Sequence, residues 1–234
     1  MNTRHLIILS RASFFLGVVV GFVLSVIAIW NNLESTNYYF TGVKYASFKG
    51  LHCPQMIAST EKGIVTAVFK NPTNEEDDFF YRAEISGKAF STRKIEGQIA
   101  VPPHQAKNVQ FIVDANDVDL LFFILVKLTI LPNSVHPSQE STCGMMVANI
   151  LGFTGWQVTI AALLLSISGI VLGLGLWRGT GPKADQDRQR IAQVLGTVVL
   201  LTFLATYMGW WAVATALTVV MILLMVISLR FAFA

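Results

Sequence analysis

Two patterns of hydrophobic and polar positions divide this chain: long uncharged runs near its ends and short alternating segments between them. Residues 14–30 form an uncharged run of 17 residues, and residues 156–177 form a second one. Residues 191–229 are 39 consecutive uncharged residues, enough for two helices. Because a bilayer-spanning helix needs about 20 apolar residues, the pattern predicts four transmembrane helices. The last two form a hairpin that breaks within residues 207–211.

The stretch between the first two uncharged runs alternates apolar and polar side chains, which is typical of β-strands. In residues 64–71, for example, Val65, Ala67 and Phe69 share one face. Strands are predicted over residues 64–71, 79–86, 95–101, 108–113, 120–131 and 141–150, separated by turns with Asn, Pro or Gly. Six or seven such short strands predict an antiparallel β-sandwich.

Residues 120–131 are the most apolar of these strands and resemble a membrane span at first sight. Twelve residues of helix, however, reach about 18 Å, whereas the hydrocarbon core is about 30 Å thick. As a strand, the segment places its even-numbered residues in the core and leaves an apolar half-face on the other side. We expect that half-face to contact a partner, together with aromatic residues that follow the first helix. The candidate contact residues are Leu121, Phe123, Leu125, Tyr38, Tyr39 and Phe40.

The predicted fold class is an α + β membrane protein with four transmembrane helices and the β-sandwich inserted between helices 1 and 2. The predicted segments are an N-terminal anchor (1–30), a connector (31–50), the sandwich (51–152), helix 2 (153–177), a loop (178–190) and a helical hairpin (191–234). A cleaved signal peptide is the alternative for the first segment. The sequence Ile-Trp-Asn-Asn-Leu at its exit lacks the small residues of a cleavage site, which favours a retained anchor.

Charge is distributed unevenly along the chain, and the distribution predicts its orientation. Residues 31–152 contain ten Lys or Arg and twelve Asp or Glu, whereas the remainder contains seven basic and two acidic residues. Basic residues mark cytoplasmic segments. We therefore expect a multi-pass protein of the cell membrane, with both termini and residues 178–190 on the cytoplasmic side and residues 31–152 on the outer side. The net charge of +3 therefore reflects membrane topology. The sequence contains no basic patch of the kind that binds nucleic acid. The outer segment lacks an Asn-x-Ser/Thr glycosylation site in which x is a residue other than Pro, which favours a prokaryotic source.

Two further residue classes fit this topology. All five tryptophans fall at the predicted membrane interfaces, where they are expected to act as anchors: Trp30, Trp156, Trp177, Trp210 and Trp211. Small residues recur at four-residue spacing, which favours close helix packing either within the chain or against another subunit: Gly17, Gly21, Ser25, Gly169 and Gly173. The spans contain no Asp, Glu, Lys, Arg or His, which argues against a transporter or pump.

Candidate chemistry in the β segment is sparse. Cys53 and Cys143, 90 positions apart in a segment predicted to be exported, are expected to form a disulfide. His52, His104 and His136 lie in separate turn-like settings, and the acidic run 75–78 lacks the spacing of a calcium loop. No nucleophile, zinc-protease or phosphate-loop motif is present. We therefore expect no catalytic residue, metal or cofactor.

Residues 51–150 resemble the immunoglobulin-like modules of extracellular bacterial proteins, of the CARDB and fibronectin-III type. The resemblance rests on Asn71-Pro72-Thr73 after an apolar strand and on Val101-Pro102-Pro103 before a later one. The chain departs from the pattern at His104, where glycine is usual after proline. Such modules usually bind or space other domains, and the resemblance implies this role here.

These observations predict a non-enzymatic membrane protein, an accessory or structural subunit whose sandwich contacts other membrane subunits or a second copy. One alternative is a membrane enzyme or small-ligand carrier, which requires a deep pocket with convergent polar groups where the sandwich meets the bilayer. Another is a cell-surface adhesion or receptor protein. The lipid bilayer is a partner in all three cases.

Overall fold

The computed structural model describes residues 3–40, 45–133, 137–149, 152–180 and 186–233. The helices are α1 (Thr3–Tyr38), α2 (Gly155–Thr180), α3 (Gln186–Tyr207) and α4 (Trp211–Phe233), and all strands lie between α1 and α2. The chain divides into two compact units. The helical unit comprises Met1–Ile29 with Thr159–Ala234, and the β unit comprises Trp30–Val158.

All four helices contain a stretch that is long and apolar enough to cross a membrane, with mean hydropathy between 1.5 and 2.6. This agrees with the four helices predicted from the sequence. Helix α3 ends at Tyr207 and α4 begins at Trp211, at the predicted break, and Gly209 between them has a φ of 72° that glycine adopts without strain. The loop predicted over residues 178–190 is shorter, because α2 continues to Thr180 and α3 begins at Gln186.

Helix α1 continues eight residues beyond Trp30, into the segment predicted as a connector. In its polar end, the hydroxyls of Ser35 and Thr36 donate to the Asn32 carbonyl oxygen at 2.9 and 2.8 Å, which satisfies these side chains within the helix. It is also held by the rest of the β unit, because the Asn31 amide donates to the Gln55 carbonyl oxygen at 2.8 Å. Tertiary contacts commonly extend a helix beyond what its own sequence supports.

The β unit contains two sheets. The larger sheet has the order β1 (Ala46–Ser47), β9 (Gln139–Ala148), β8 (Phe123–Ile130), β5 (Asp77–Gly87), β6 (Ser91–Val101). Strand β3 (Met56–Ala58) also pairs with β9 in this sheet. The smaller sheet has the order β2 (Leu51–His52), β4 (Gly63–Lys70), β7 (Ala106–Val113). Strands β1 and β3 run parallel to β9, and all other pairs are antiparallel. The expectation of an antiparallel sandwich holds for the longer strands and was wrong for the larger sheet as a whole, because two short segments missed in the sequence run parallel to β9.

The two sheets share one hydrophobic core, which follows the predicted alternation. Its fully buried members include Val65, Phe69, Ile85, Ile124, Val126 and Leu128. Strand β8 begins at Phe123 instead of Leu120, because Leu120 and Leu121 adopt φ values of 46° and 73° that interrupt an extended strand. The segment 120–131 thus contains a strand preceded by a tight turn.

Candidate contact surface

The chain immediately after α1 packs on the outer face of the larger sheet through Tyr39, whose side chain is buried. Its single O–H is shared between the carbonyl oxygens of Glu84 and Leu125, each 3.0 Å away. These carbonyls lie where the pairing of β5 with β8 ends, at Ile85 and Val126. Burial raises the pKa of Tyr39 above its usual value, so the hydroxyl keeps its proton in alkaline solution as well as at neutral pH.

The apolar half-face of β8 is therefore covered within the chain. Leu125 is fully buried and Phe123 nearly so, both in one cluster with Tyr39. Gly144 on β9 permits this approach, because a Cβ at this position would overlap the carbonyl oxygen of Asn31 on α1. The expectation that Phe123 and Leu125 offer an exposed contact surface was wrong, since the end of α1 lies over them.

Asp119 organises the loops beside the end of α1. Its Oδ2 accepts hydrogen bonds from the Tyr38 hydroxyl at 2.9 Å and from the Phe90 backbone N–H at 3.0 Å, and its Oδ1 accepts from the Leu120 N–H at 2.9 Å. Its own backbone pairs with Phe123 through two further hydrogen bonds. One nearly buried carboxylate thus connects α1, the turn before β8 and the turn between β5 and β6.

Both turns hold non-glycine residues in the left-handed region. Ala89 and Phe90 have φ values of 59° and 58°, and Leu120 and Leu121 have values of 46° and 73°. Such backbones cost about 1–3 kcal/mol each and persist where the surroundings hold them, commonly at functional sites. Here they place Phe90 and Leu121 outward, 72% and 92% exposed.

The segments that Asp119 connects carry four exposed apolar side chains, Phe40, Phe90, Leu121 and Phe122, which we call the apolar patch. Phe40 is 80% exposed and Phe122 43%. The Tyr38 ring stacks on the Phe90 ring with centroids 6.1 Å apart and planes 17° from parallel. Of the six contact residues predicted from the sequence, the structure therefore leaves Leu121 and Phe40 well exposed, Tyr38 half-buried, and the other three buried.

Sequence reasoning missed Phe90 and Asp119. A signal for Phe90 is present, because a phenylalanine in the polar turn Gly87-Lys88-Ala89-Phe90-Ser91 has no core face to occupy. Asp119 carries no such signal. Its partners at positions 38 and 90 are remote in sequence, and an aspartate next to a turn is ordinary.

Replacing Asp119 with alanine is expected to release both turns, because three hydrogen bonds to one carboxylate are lost together. Bonds to a charged group contribute about 1.5–3 kcal/mol each, so faster amide exchange by at least tenfold is expected in residues 88–91 and 119–122. Hydrogen exchange read by mass spectrometry measures this. Glu76→Ala, on an exposed loop, is the matched control, and equal exchange rates in the two variants would contradict the role of Asp119.

A polar cleft of about 370 Å³ lies next to the same turns. It is lined by Ser86, Gly87, Lys88, Ser91, Thr92, Arg93, Asn116 and Asp117. The Arg93 guanidinium donates to Asp117 Oδ2 and to the Ile112 carbonyl oxygen, each at 3.0 Å. Arg93 and Asp117 therefore form an ion pair at the cleft, which Lys88 also lines.

The residues weighed as metal ligands lie apart. His52 ends β2, and His104 is exposed with its Nε2 2.8 Å from Asn74 Oδ1, whereas His136 lies outside the described residues. Asp77 and Asp78 of the acidic run begin β5, where Asp77 accepts a hydrogen bond from the Asn133 amide. Within the described ranges, no group of three or more His, Cys, Asp or Glu could hold a metal ion.

The small residues predicted for helix packing lie between helices of the same chain. Ideal Cβ atoms at Gly17 and Gly169 would lie 2.7 Å from the Ser166 carbonyl oxygen and 2.9 Å from that of Ser13. The Ser166 hydroxyl donates to the Gly17 carbonyl oxygen at 2.8 Å. Gly173 lies against Phe14 and Gly21 against Ser166, whereas the Ser25 hydroxyl bonds within α1 to Gly21. The structure thus assigns the glycines to contacts of α1 with α2.

The tryptophans occupy different environments. Trp30, Trp156 and Trp210 are 49–68% exposed and Trp211 is partly exposed, as interfacial anchors need to be. Trp177 is 4% exposed and packs inside the helical unit, where its ring meets Phe14 edge-on. An anchoring role for Trp177 in the lipid interface does not fit this position, because its indole faces other helices.

The predicted disulfide is confirmed. Cys53 and Cys143 are joined, with their Cα atoms 6.1 Å apart. Cys53 directly follows β2 of the smaller sheet and Cys143 belongs to β9 of the larger one. The bond therefore connects the two sheets across the core.

Comparisons with known proteins provide no family. No family model and no curated protein matches the chain. One similar solved structure is a Paenibacillus sp. cycloisomaltooligosaccharide glucanotransferase, at 12% identity and a TM-score of 0.34, with 45% of this chain and 14% of that chain covered. Another is Ignicoccus hospitalis superoxide reductase (neelaredoxin), at 14% identity and a TM-score of 0.32, with 42% of this chain and 78% of that chain covered. A third is β-glucuronidase 2 of Bacteroides uniformis (11% identity, TM-score 0.31, 41% and 12%). At these TM-scores the similarities carry no argument about fold or function.

Proposed function

We propose that this chain is a non-enzymatic integral membrane protein, an accessory subunit that binds another membrane protein through the apolar patch. One observation carries the proposal: Phe40, Phe90 and Leu121 are at least 72% exposed, and Asp119 fixes the backbone on which two of them stand. Large apolar side chains exposed together on a fixed backbone are typical of protein interaction sites.

The proposal includes the orientation predicted from the sequence: four helices in the bilayer, both termini in the cytoplasm and the β unit outside. The uneven charge distribution supports it. The disulfide supports it as well, because disulfides persist in oxidising compartments outside the cytoplasm. We further propose that the β unit is immunoglobulin-like. The support is its strand order, with β2-β4-β7 in one sheet and β9-β8-β5-β6 in the other, which resembles the arrangement of such sandwiches.

The occupant proposed for the apolar patch is an apolar surface on the outer part of another membrane subunit. Tyr38, which stacks on the patch, lies eight residues and therefore about 12 Å along α1 from Trp30. With Trp30 at the membrane interface, as the orientation above places it, Tyr38 and the patch lie outside the hydrocarbon core. A protein surface is then favoured over lipid tails as its cover.

Leu121→Asp is expected to release the partner, because it places a carboxylate in the centre of an apolar contact. A fully buried leucine contributes about 1.5–3 kcal/mol, so a loss of at least tenfold in complex yield is expected. Gentle detergent extraction of the full chain, followed by native mass spectrometry, measures which subunit co-migrates and in what amount.

Ile112→Asp is the matched control, since Ile112 is 59% exposed in the same unit but lies on β7, outside the patch. The control is expected to retain the partner. A wild-type chain that migrates as a lone monomer, or a Leu121→Asp variant that keeps its partner in full, contradicts the proposed function.

A further inference from the structure

A small cavity in the helical unit is lined by one polar or aromatic side chain from each of the four helices. Arg11 comes from α1, Trp177 from α2, Arg188 from α3 and Ser228 from α4. The remaining walls are apolar, formed by Phe14, Phe15, Ile191 and Ala192. Two cationic groups, a hydroxyl and an aromatic ring thus meet at one end of the unit.

The polar groups are arranged to receive an anion. The Arg11 guanidinium lies over the Trp177 ring, with Cζ 5.1 Å from its centroid, so a cation–π contact orients it. Arg188 is half-buried at the same cavity. The Ser228 hydroxyl oxygen is buried, and among the described residues it finds no hydrogen-bond partner. A buried hydroxyl is normally paired, so this one is available to bond to a ligand in the cavity.

The size and position of the cavity select the kind of anion. Its volume is about 40 Å³, and a cavity holds one water molecule from about 10–15 Å³ upward, so a group of a few heavy atoms fits. Arg11, Trp177 and Arg188 lie near the ends of three apolar helical stretches, where lipid headgroups are found when the helices are inserted. Basic pockets between transmembrane helices at this depth commonly bind phosphate-bearing headgroups.

We infer that this cavity binds the phosphate of an anionic phospholipid, with Arg11, Arg188 and Ser228 contacting its oxygens and the glycerol and acyl chains lying outside the cavity. Arginine is suited to this role, because its planar group donates two hydrogen bonds to one phosphate. The inference needs the helices to be in a bilayer but is independent of the apolar patch. Leu121→Asp is therefore expected to leave the binding of the phospholipid unchanged.

Native mass spectrometry of the full chain in mild detergent, titrated with phosphatidylglycerol or with phosphatidylcholine of the same acyl chains, tests the site. We expect phosphatidylglycerol to bind at least tenfold more tightly. Arg188→Gln is expected to weaken its binding about tenfold and Ser228→Ala about threefold. Arg190→Gln removes the same charge two residues further along α3, on an exposed position outside the cavity, and is expected to bind as the wild type does.

Three results would overturn the inference. One is equal binding of the two lipids, and another is an equal loss in Arg190→Gln and Arg188→Gln, which would indicate general attraction to negative charge. The third is complete displacement of phosphatidylglycerol by millimolar inorganic phosphate, which would assign the cavity to a free anion. Because Ser228→Ala changes no charge, it keeps the test informative if an arginine variant fails to fold.

Discussion

Replacing Cys53 and Cys143 together with serine is expected to lower the free energy of unfolding of the β unit by about 4–5 kcal/mol. The disulfide closes a loop between positions 90 apart, and opening it restores chain entropy to the unfolded state. The native state is affected as well, because β2, which precedes Cys53, pairs with β4 through only Leu51 and His52. The bond attaches the end of this short strand directly to β9 of the larger sheet.

Urea unfolding of the full chain in detergent, followed by the β-sheet signal in circular dichroism, measures this change. Reduction of the wild type under the same conditions is the matched control and is expected to lower the midpoint to that of the double variant. A midpoint that changes in neither experiment would show that the two sheets are held together without the bond.

Gly173→Val is expected to lower the stability of the helical unit by about 3 kcal/mol, near the upper end of the range for overpacking. A Cβ at position 173 would lie 2.6 Å from the Cβ and the backbone nitrogen of Phe14. A backbone atom has no rotamer by which to move away, so α1 and α2 must separate. Phe14, which is fully buried with Ile170 and Leu195, then loses much of its packing.

Gly175→Val is a close control, because it lies two residues away on α2 and a Cβ there meets nothing within 4 Å. The same side chain is therefore added to the same helix without a clash. Thermal unfolding of both variants in one detergent measures the difference, which is expected to be at least 5 °C in midpoint. Equal midpoints would contradict the close packing of α1 on α2.

Local pattern was sufficient to predict most of the secondary structure. Four helices follow from uncharged runs of sufficient length, because the thickness of a bilayer imposes that length. The longer strands follow from alternation, because successive side chains of a strand face opposite sides. The short strands β1 and β3 were missed, since two or three residues show no period and pair with β9 only after the chain has folded.

The sequence by itself therefore determined the helices, the longer strands, the core face of β8 and the disulfide between Cys53 and Cys143. Only the tertiary structure decided which apolar residues remain exposed. Leu125 is covered by Tyr39, 86 positions away, while Phe90 joins Leu121 at the surface through their common partner Asp119. The physical reason is that exposure depends on the path of remote segments, whereas periodicity reports only which side chains share a face.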